Sequence, residues 1–121
     1  MDKKRLLLVD DDKGLLEGLE LLFTSKGYEV RTATSPQQID ELIENVKPHL
    51  LIMDVLMPPF NGLEVCERLK TAGHQFPVML LSATTIATGP IKKCQADAFA
   101  TKPFIISELL ENIRKLTHSV S

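Results

Sequence analysis

Apolar residues follow two different periods along this chain. Leu6–Val9 and Leu50–Met53 are unbroken apolar runs, whereas the stretches between such runs space their apolar residues three or four positions apart. Unbroken runs are typical of parallel strands that are buried on both faces, and the wider spacing is typical of amphipathic helices. The pattern therefore predicts strands and helices in alternation.

Five strand–helix pairs account for the whole chain. The predicted strands are, in order, Leu6–Val9, Tyr28–Thr32, Leu50–Asp54, Val78–Leu81 and Ala98–Thr101. Short connections and right-handed crossovers make such a chain a doubly wound parallel sheet with helices on both faces. We predict a single α/β domain over residues 1–121. Its expected architecture is a flavodoxin-like (βα)5 three-layer sandwich with strand order 2-1-3-4-5.

Polar and small residues indicate where several helices begin and end. Asp12 and Ser35 are predicted N-caps, and Gly27 is a predicted left-handed residue after the first helix. Ser107 is predicted to cap the last helix. The fourth helix is less regular, and because proline is best tolerated in a first turn, we expect this helix to be short and to begin near Pro90.

Composition narrows the classes of function. The formal net charge of -2 shows no basic excess, so direct nucleic-acid binding by this segment is not expected. The two cysteines, Cys66 and Cys94, lack the spacing of a metal site. No apolar run reaches the roughly 18 residues of a membrane span. These features predict a cytoplasmic protein that does not bind membranes.

Polar residues stand at the ends of four predicted strands. Asp10 and Asp11 follow the first strand, Asp54 ends the third, Ser82 follows the fourth and Lys102 follows the fifth. Because the carboxyl ends of parallel strands meet at one sheet edge, where α/β proteins bind ligands, these side chains are expected to converge. Three carboxylates favour a hard cation such as Mg²⁺, and a hydroxyl and an ammonium favour a phosphoryl group.

The same positions resemble a known family. The motifs that carry the resemblance are Val9-Asp10-Asp11, Asp54-Val55-Leu56-Met57-Pro58, Asn61-Gly62, Pro77 to Ala83 and Thr101-Lys102-Pro103-Phe104. In this order and spacing they resemble the receiver domain of two-component response regulators. The resemblance implies a signalling switch rather than an enzyme. It further implies a sensor histidine kinase or a histidine phosphotransfer protein as donor, a downstream effector, and a possible homodimer.

The resemblance assigns chemical roles to individual residues. Asp54 would accept the phosphoryl group, and Ser82 and Lys102 would contact its oxygens. Ser82 would also act as a switch together with Phe99, whose ring position would follow phosphorylation. The peptide bond between Lys102 and Pro103 is expected to be cis.

The resemblance also implies how Mg²⁺ would be bound. Asp11, Asp54 and the backbone carbonyl of Leu56 would be ligands, and Asp10 would act mainly through water. One departure from the family pattern is Pro59, which stands where glycine is usual and should stiffen the loop that follows Asp54.

Two other functions compete with this interpretation. A receiver-like interaction module that has lost phosphorylation would keep the same fold. The residues that speak against it are the intact Asp11, Asp54, Ser82 and Lys102. An aspartyl-phosphate hydrolase of the haloacid dehalogenase type also uses a strand-end aspartate with Mg²⁺. That family has a second aspartate two residues after the nucleophile, and Leu56 occupies this position here.

Overall fold

Five parallel strands form the central sheet of the computed structural model, which describes residues 3–84, 86 and 88–118. The strands are β1 (Arg5–Val9), β2 (Glu29–Ala33), β3 (Leu50–Asp54), β4 (Val78–Ser82) and β5 (Ala98–Thr101). They are hydrogen-bonded in the order β2-β1-β3-β4-β5, with every pair parallel. The predicted fold class and strand order are confirmed.

Five helices connect and cover these strands. They are α1 (Lys13–Ser25), α2 (Ile39–Val46), α3 (Gly62–Thr71), α4 (Thr88–Cys94) and α5 (Ile106–His118). A 3-10 turn over Pro36–Gln38 precedes α2, and a small antiparallel hairpin pairs Leu56–Met57 with Phe60–Asn61. None of the helices within the described residues has the length and apolar character needed to span a membrane.

The sheet separates two apolar clusters, which explains the unbroken apolar runs. Leu6 and Leu8 of β1 belong to the cluster that also contains residues of α1 and α5. Leu7 and Val9 of the same strand belong to the cluster that contains residues of α2, α3 and α4. Both faces of β1 are therefore buried from Leu6 to Val9, and the next polar side chain is that of Asp10.

The predicted helix signals at Asp12 and Gly27 are confirmed, whereas Ser35 caps the 3-10 turn over Pro36–Gln38 and not α2, which begins at Ile39 without a side-chain cap. Oδ1 of Asp12 accepts from the Leu15 backbone at 3.1 Å, and Oγ of Ser35 accepts from the Gln37 backbone at 3.1 Å. Gly27 has a φ of +95° after α1, a conformation that glycine adopts without a steric penalty. Local capping chemistry thus determines both ends of α1 as the sequence indicated.

The second strand begins one residue later than predicted, at Glu29 rather than Tyr28. The N–H of Tyr28 donates to the Phe23 carbonyl, and the N–H of Gly27 donates to the Thr24 carbonyl. These two bonds form the Schellman motif that closes α1. Tyr28 is therefore used by the helix end and is not available to the strand.

Two helix starts differ from the prediction. Ser107 does not cap α5, because the helix begins at Ile106 and the Leu109 N–H donates to the carbonyl of Ile105, which is the capping position. Helix α4 is short, as expected, but begins at Thr88, two residues before Pro90. A proline in the third helical position removes no intrahelical donor, since the first four N–H groups of a helix have no partner.

Candidate functional site

Three aspartates converge at the carboxyl edge of the sheet. Asp10 and Asp11 directly follow β1, and Asp54 is the last residue of the adjacent strand β3. One carboxylate oxygen from each lies within 4.8 Å of the others. Asp10 and Asp54 are buried, whereas Asp11 is exposed. The structure thus brings together the three acids that the strand ends predicted, with one side open to solvent.

Lys102 lies between two of these acids. Its Nζ atom is 2.8 Å from Oδ2 of Asp10 and 3.5 Å from Oδ2 of Asp54. The backbone N–H of Lys102 donates to the carbonyl of Ser82 at 2.7 Å, which joins the ends of β4 and β5. The expected cis bond between Lys102 and Pro103 is confirmed. The lysine is therefore held at the acids by both its side chain and its backbone.

The electrostatics of the site reflect an excess of acid over base. Burial raises the pKa of Asp54, and the nearby charge of Asp10 raises it further, while Lys102 and the backbone N–H of Leu56 act in the opposite direction. Burial by itself would lower the pKa of Lys102, but the hydrogen bond and charge of Asp10, with the charge of Asp54, raise it above its ordinary value. The ammonium is thus held charged and only partly offsets the acids.

The donor set fits a hard divalent cation. All three groups are carboxylates, and Mg²⁺ prefers oxygen ligands while keeping several waters. Both oxygens of Asp10 already have partners, since Oδ2 accepts from Lys102 and Oδ1 accepts from the Asp12 N–H at 2.9 Å. Asp11 and Asp54 are consequently the acids better placed to bind an ion directly.

Ser82 lies at the end of β4 beside this cluster of strand ends. It is buried, and its Oγ atom accepts from the Thr84 backbone N–H at 3.1 Å. The hydroxyl oxygens of Ser82 and Thr84 lie 3.3 Å apart. The link to Thr84 was not predicted, although serine followed two residues later by a backbone donor is a common turn arrangement.

The remaining predicted residues flank the site. Leu56 follows Asp54 on the small hairpin with its side chain 69% exposed, and its backbone N–H faces the Asp54 carboxylate. Phe99 is half-buried on β5 and packs against the cluster that contains α4 residues. The structure therefore places Leu56 at the solvent side of the site and Phe99 between the core and the surface.

Gly62 lies against the backbone at the end of β3, where Asp54 stands. A Cβ atom at this position would lie 2.3 Å from the carbonyl oxygen of Asp54 and 2.9 Å from Cα of Val55. The N–H of Gly62 donates to the Val55 carbonyl at 2.7 Å. Only glycine permits the start of α3 to approach the end of β3 so closely. The Asn61-Gly62 pair is one of the motifs that carry the family resemblance, but the contact with Asp54 depends on the tertiary fold.

Comparison with known proteins places these features in a family. The family profile of the response regulator receiver domain matches residues 6–114. Response regulator MprA of Mycobacterium sp. (strain KMS) is 34% identical over 119 residues, which cover 97% of this chain and 52% of that protein. The chain thus spans about half the length of the curated relatives that it matches.

Solved structures give the same assignment. A CheY-like response regulator receiver domain protein from Methanospirillum hungatei JF-1 superposes with a TM-score of 0.90 at 26% identity, over 98% of this chain and 96% of that one. Response regulator TrrA from Thermotoga maritima, solved in complex with Mg²⁺-BeF, superposes with a TM-score of 0.84 at 30% identity, over 93% of this chain and 98% of that one.

Proposed function

Because the chain belongs to the response regulator receiver domain family, we propose that it is a two-component signalling switch in which Asp54 is the phosphoryl acceptor. The observation that supports this role is the position of Asp54 at a strand end, buried beside Lys102 and within 4.8 Å of the other two acids. A carboxylate so placed has a neighbouring cation to offset the charge of an incoming phosphoryl group.

Phosphoryl transfer would use groups of this chain for acceptance and for charge stabilisation. A carboxylate oxygen of Asp54 forms the new bond to phosphorus as the bond from phosphorus to the donor histidine nitrogen breaks, and that nitrogen leaves with the electron pair and is then protonated. Lys102 and the Ser82 hydroxyl provide donors for the phosphoryl oxygens. Positioning of the acceptor is the main contribution of the protein, as in other phosphoryl transfers.

The acidic cluster would hold the divalent cation. Asp11, Asp54 and the backbone carbonyl of Leu56 would be its ligands, and Asp10 would act through water. When bound, Mg²⁺ supplies positive charge that reduces repulsion between the acids and the phosphoryl oxygens. The Mg²⁺-BeF complex of the Thermotoga maritima relative supports this choice of ion.

Membership of the family suggests the partners and the cellular location of this switch. A sensor histidine kinase or a histidine phosphotransfer protein would phosphorylate it, and an effector domain or protein would read the result in the cytoplasm. We propose that residues 1–121 form one receiver domain whose product is a conformational signal. With a net charge of -2, this segment would not bind nucleic acid itself, although a homodimer is compatible with it.

Phosphorylation by a small donor tests the proposal. With Mg²⁺ and acetyl phosphate, the wild-type protein should gain one acid-labile, hydroxylamine-sensitive phosphoryl group, detected by intact mass. Asp54→Asn should gain none. The matched control is Asp40→Asn, which changes an exposed acid on α2 that pairs with Arg68. Label retained in Asp54→Asn would refute the assignment of the acceptor, and no label in the wild type would favour a receiver-like interaction module.

A further inference from the structure

Thr84 makes two contacts with the hydroxyl of Ser82. Its backbone N–H donates to Oγ of Ser82 at 3.1 Å, and its own hydroxyl oxygen lies 3.3 Å from the same atom. Ser82 is buried at the end of β4, whereas Thr84 is exposed. The Ser82 hydroxyl, at a strand end beside the acidic site, is thus in contact with an exposed residue.

The contact between the two hydroxyl groups is compatible with a hydrogen bond in either direction. Such a group has one hydrogen to donate and two lone pairs that accept. Oγ of Ser82 already accepts from the Thr84 amide, and either hydroxyl could donate to the other. The exposed Thr84 hydroxyl can give its own hydrogen to water. When it does so, Ser82 is left as the donor between the two hydroxyl groups.

We propose that Thr84 is a positioning residue that holds the Ser82 hydroxyl hydrogen in the resting protein and so opposes binding of the phosphoryl group. This inference rests on the proposed function, in which the same hydrogen is donated to a phosphoryl oxygen. The oxygen–oxygen distance of 3.3 Å exceeds the usual range of about 2.5–3.0 Å for hydroxyl hydrogen bonds, so the resting interaction is weak.

The Ser82 hydrogen bonds more strongly to a phosphoryl oxygen than to Thr84, but the loss of the Thr84 contact makes phosphoryl binding less favourable. A hydrogen bond to a charged acceptor is roughly twice as strong as one to a neutral acceptor, so the Ser82 hydrogen leaves Thr84 when an anion occupies the site. The hydrogen bond to Thr84 breaks at the same time, and its free energy is subtracted from that gain. Thr84 therefore contributes to the free energy that the switch requires.

Replacement of Thr84 by valine tests this role. Valine keeps the branched shape and the backbone N–H but removes the acceptor. Because a single hydrogen bond changes an equilibrium constant by about two- to tenfold, Thr84→Val should bind beryllofluoride about two- to tenfold more tightly than wild type. The affinity is measured by calorimetric titration at fixed Mg²⁺. Thr84→Ser restores the hydroxyl and should return the affinity to the wild-type value.

A double-mutant cycle separates this role from a general effect on the loop. In a Ser82→Ala background there is no hydroxyl to hold, so Thr84→Val should leave the beryllofluoride affinity unchanged. An equal gain in both backgrounds would overturn the inference, as would unchanged or weaker binding by Thr84→Val alone. If wild-type protein fails to bind beryllofluoride, the proposed function itself fails, which is a different result.

Discussion

Lys102 makes its shortest ionic contact with Asp10, at 2.8 Å from Nζ to Oδ2. The corresponding distance to Asp54 is 3.5 Å. The cation is thus held mainly by the acid whose oxygens are both already hydrogen-bonded, and less tightly by the acid that we propose as acceptor. Asp54 consequently keeps carboxylate oxygen available for a metal ion and for a phosphoryl group.

Removal of the Lys102 charge should destabilise the protein when Mg²⁺ is absent. Lys102→Met leaves buried Asp10 and Asp54 without a counter-charge, and the expected loss is about 1–3 kcal/mol, because the lysine is partly exposed. Urea unfolding measures this loss, and Mg²⁺ should restore more stability to the variant than to wild type. Lys115→Met, on the exposed face of α5, is the control. Equal unfolding curves for the Lys102 variant and wild type would contradict the prediction.

Asp11 and Asp12 should differ in their effect on Mg²⁺ binding. Asp11→Ala removes an exposed member of the acidic cluster, and we expect at least about tenfold weaker Mg²⁺ binding, since groups that merely orient a ligand already contribute about 10- to 100-fold. Asp12→Ala instead removes the N-cap of α1, which should cost about 1 kcal/mol of stability with little change in Mg²⁺ affinity. Titration with Mg²⁺ and urea unfolding distinguish the two. A larger loss of Mg²⁺ affinity in Asp12→Ala would show that the register at the end of β1 is misassigned.

The sheet and the convergence of the acids could be predicted because both depend on local patterns. An unbroken run such as Leu6–Val9 indicates burial on both faces, and parallel strands necessarily bring their carboxyl ends to one edge. Asp10, Asp54 and Lys102 could therefore be placed together without any knowledge of side-chain positions.

The details that could not be predicted from the sequence depend on contacts between distant residues or on groups that can serve two structures. The approach of Gly62 to Asp54 exists only once α3 packs on the end of β3. The start of β2 was misplaced because Tyr28 can serve either a strand or the end of α1, and the Schellman bonds favour the helix. Ser107 was misassigned as a cap because its residue type suits that position, although the helix already begins at Ile106.

Leu56 should control how long the phosphoryl group persists. Its exposed side chain lies two residues after Asp54 and offers no group that can orient an attacking water. Leu56→Asn should therefore speed hydrolysis of the phosphorylated protein several-fold without changing the extent of phosphorylation. The rate is measured by loss of the phosphoryl group after the donor is removed. Leu21→Asn changes a similarly exposed leucine on α1 and should have no effect, so equal rates for the two variants would show that Leu56 is incidental.

The Cys66 thiol should make stability fall at alkaline pH. Burial raises the pKa of Cys66 from its ordinary value of 9.0 to about 12, and the neighbouring Cys94 adds to the rise. The unfolded chain therefore loses this proton near its ordinary pKa, while the folded protein keeps it.

The free energy of unfolding should consequently decrease as the pH rises from about 9 towards about 12, because the unfolded state binds fewer protons than the folded state in this range. The stabilisation that the protonated Cys66 thiol contributes is fully present below the pKa of this thiol in the unfolded chain. Cys66→Ala removes it, and plots of unfolding free energy against pH should be less steep for this variant than for wild type. Every other ionisable residue is the same in the two proteins, so parallel plots would contradict the assignment.

Gly62 and Gly18 should respond in opposite directions to alanine. A Cβ at Gly62 would lie 2.3 Å from the Asp54 carbonyl oxygen, and neither backbone can move away without displacing the end of β3. We expect Gly62→Ala to cost about 1–3 kcal/mol or more in urea unfolding and to weaken Mg²⁺ binding, because Asp54 moves with the strand. A Cβ at Gly18 would meet nothing within 4 Å on the exposed side of α1, so Gly18→Ala should stabilise the protein by up to about 1 kcal/mol through helix propensity. If Gly62→Ala instead matched wild type in stability and in Mg²⁺ affinity, the end of β3 would be compliant, and the close approach of α3 would not be what positions Asp54.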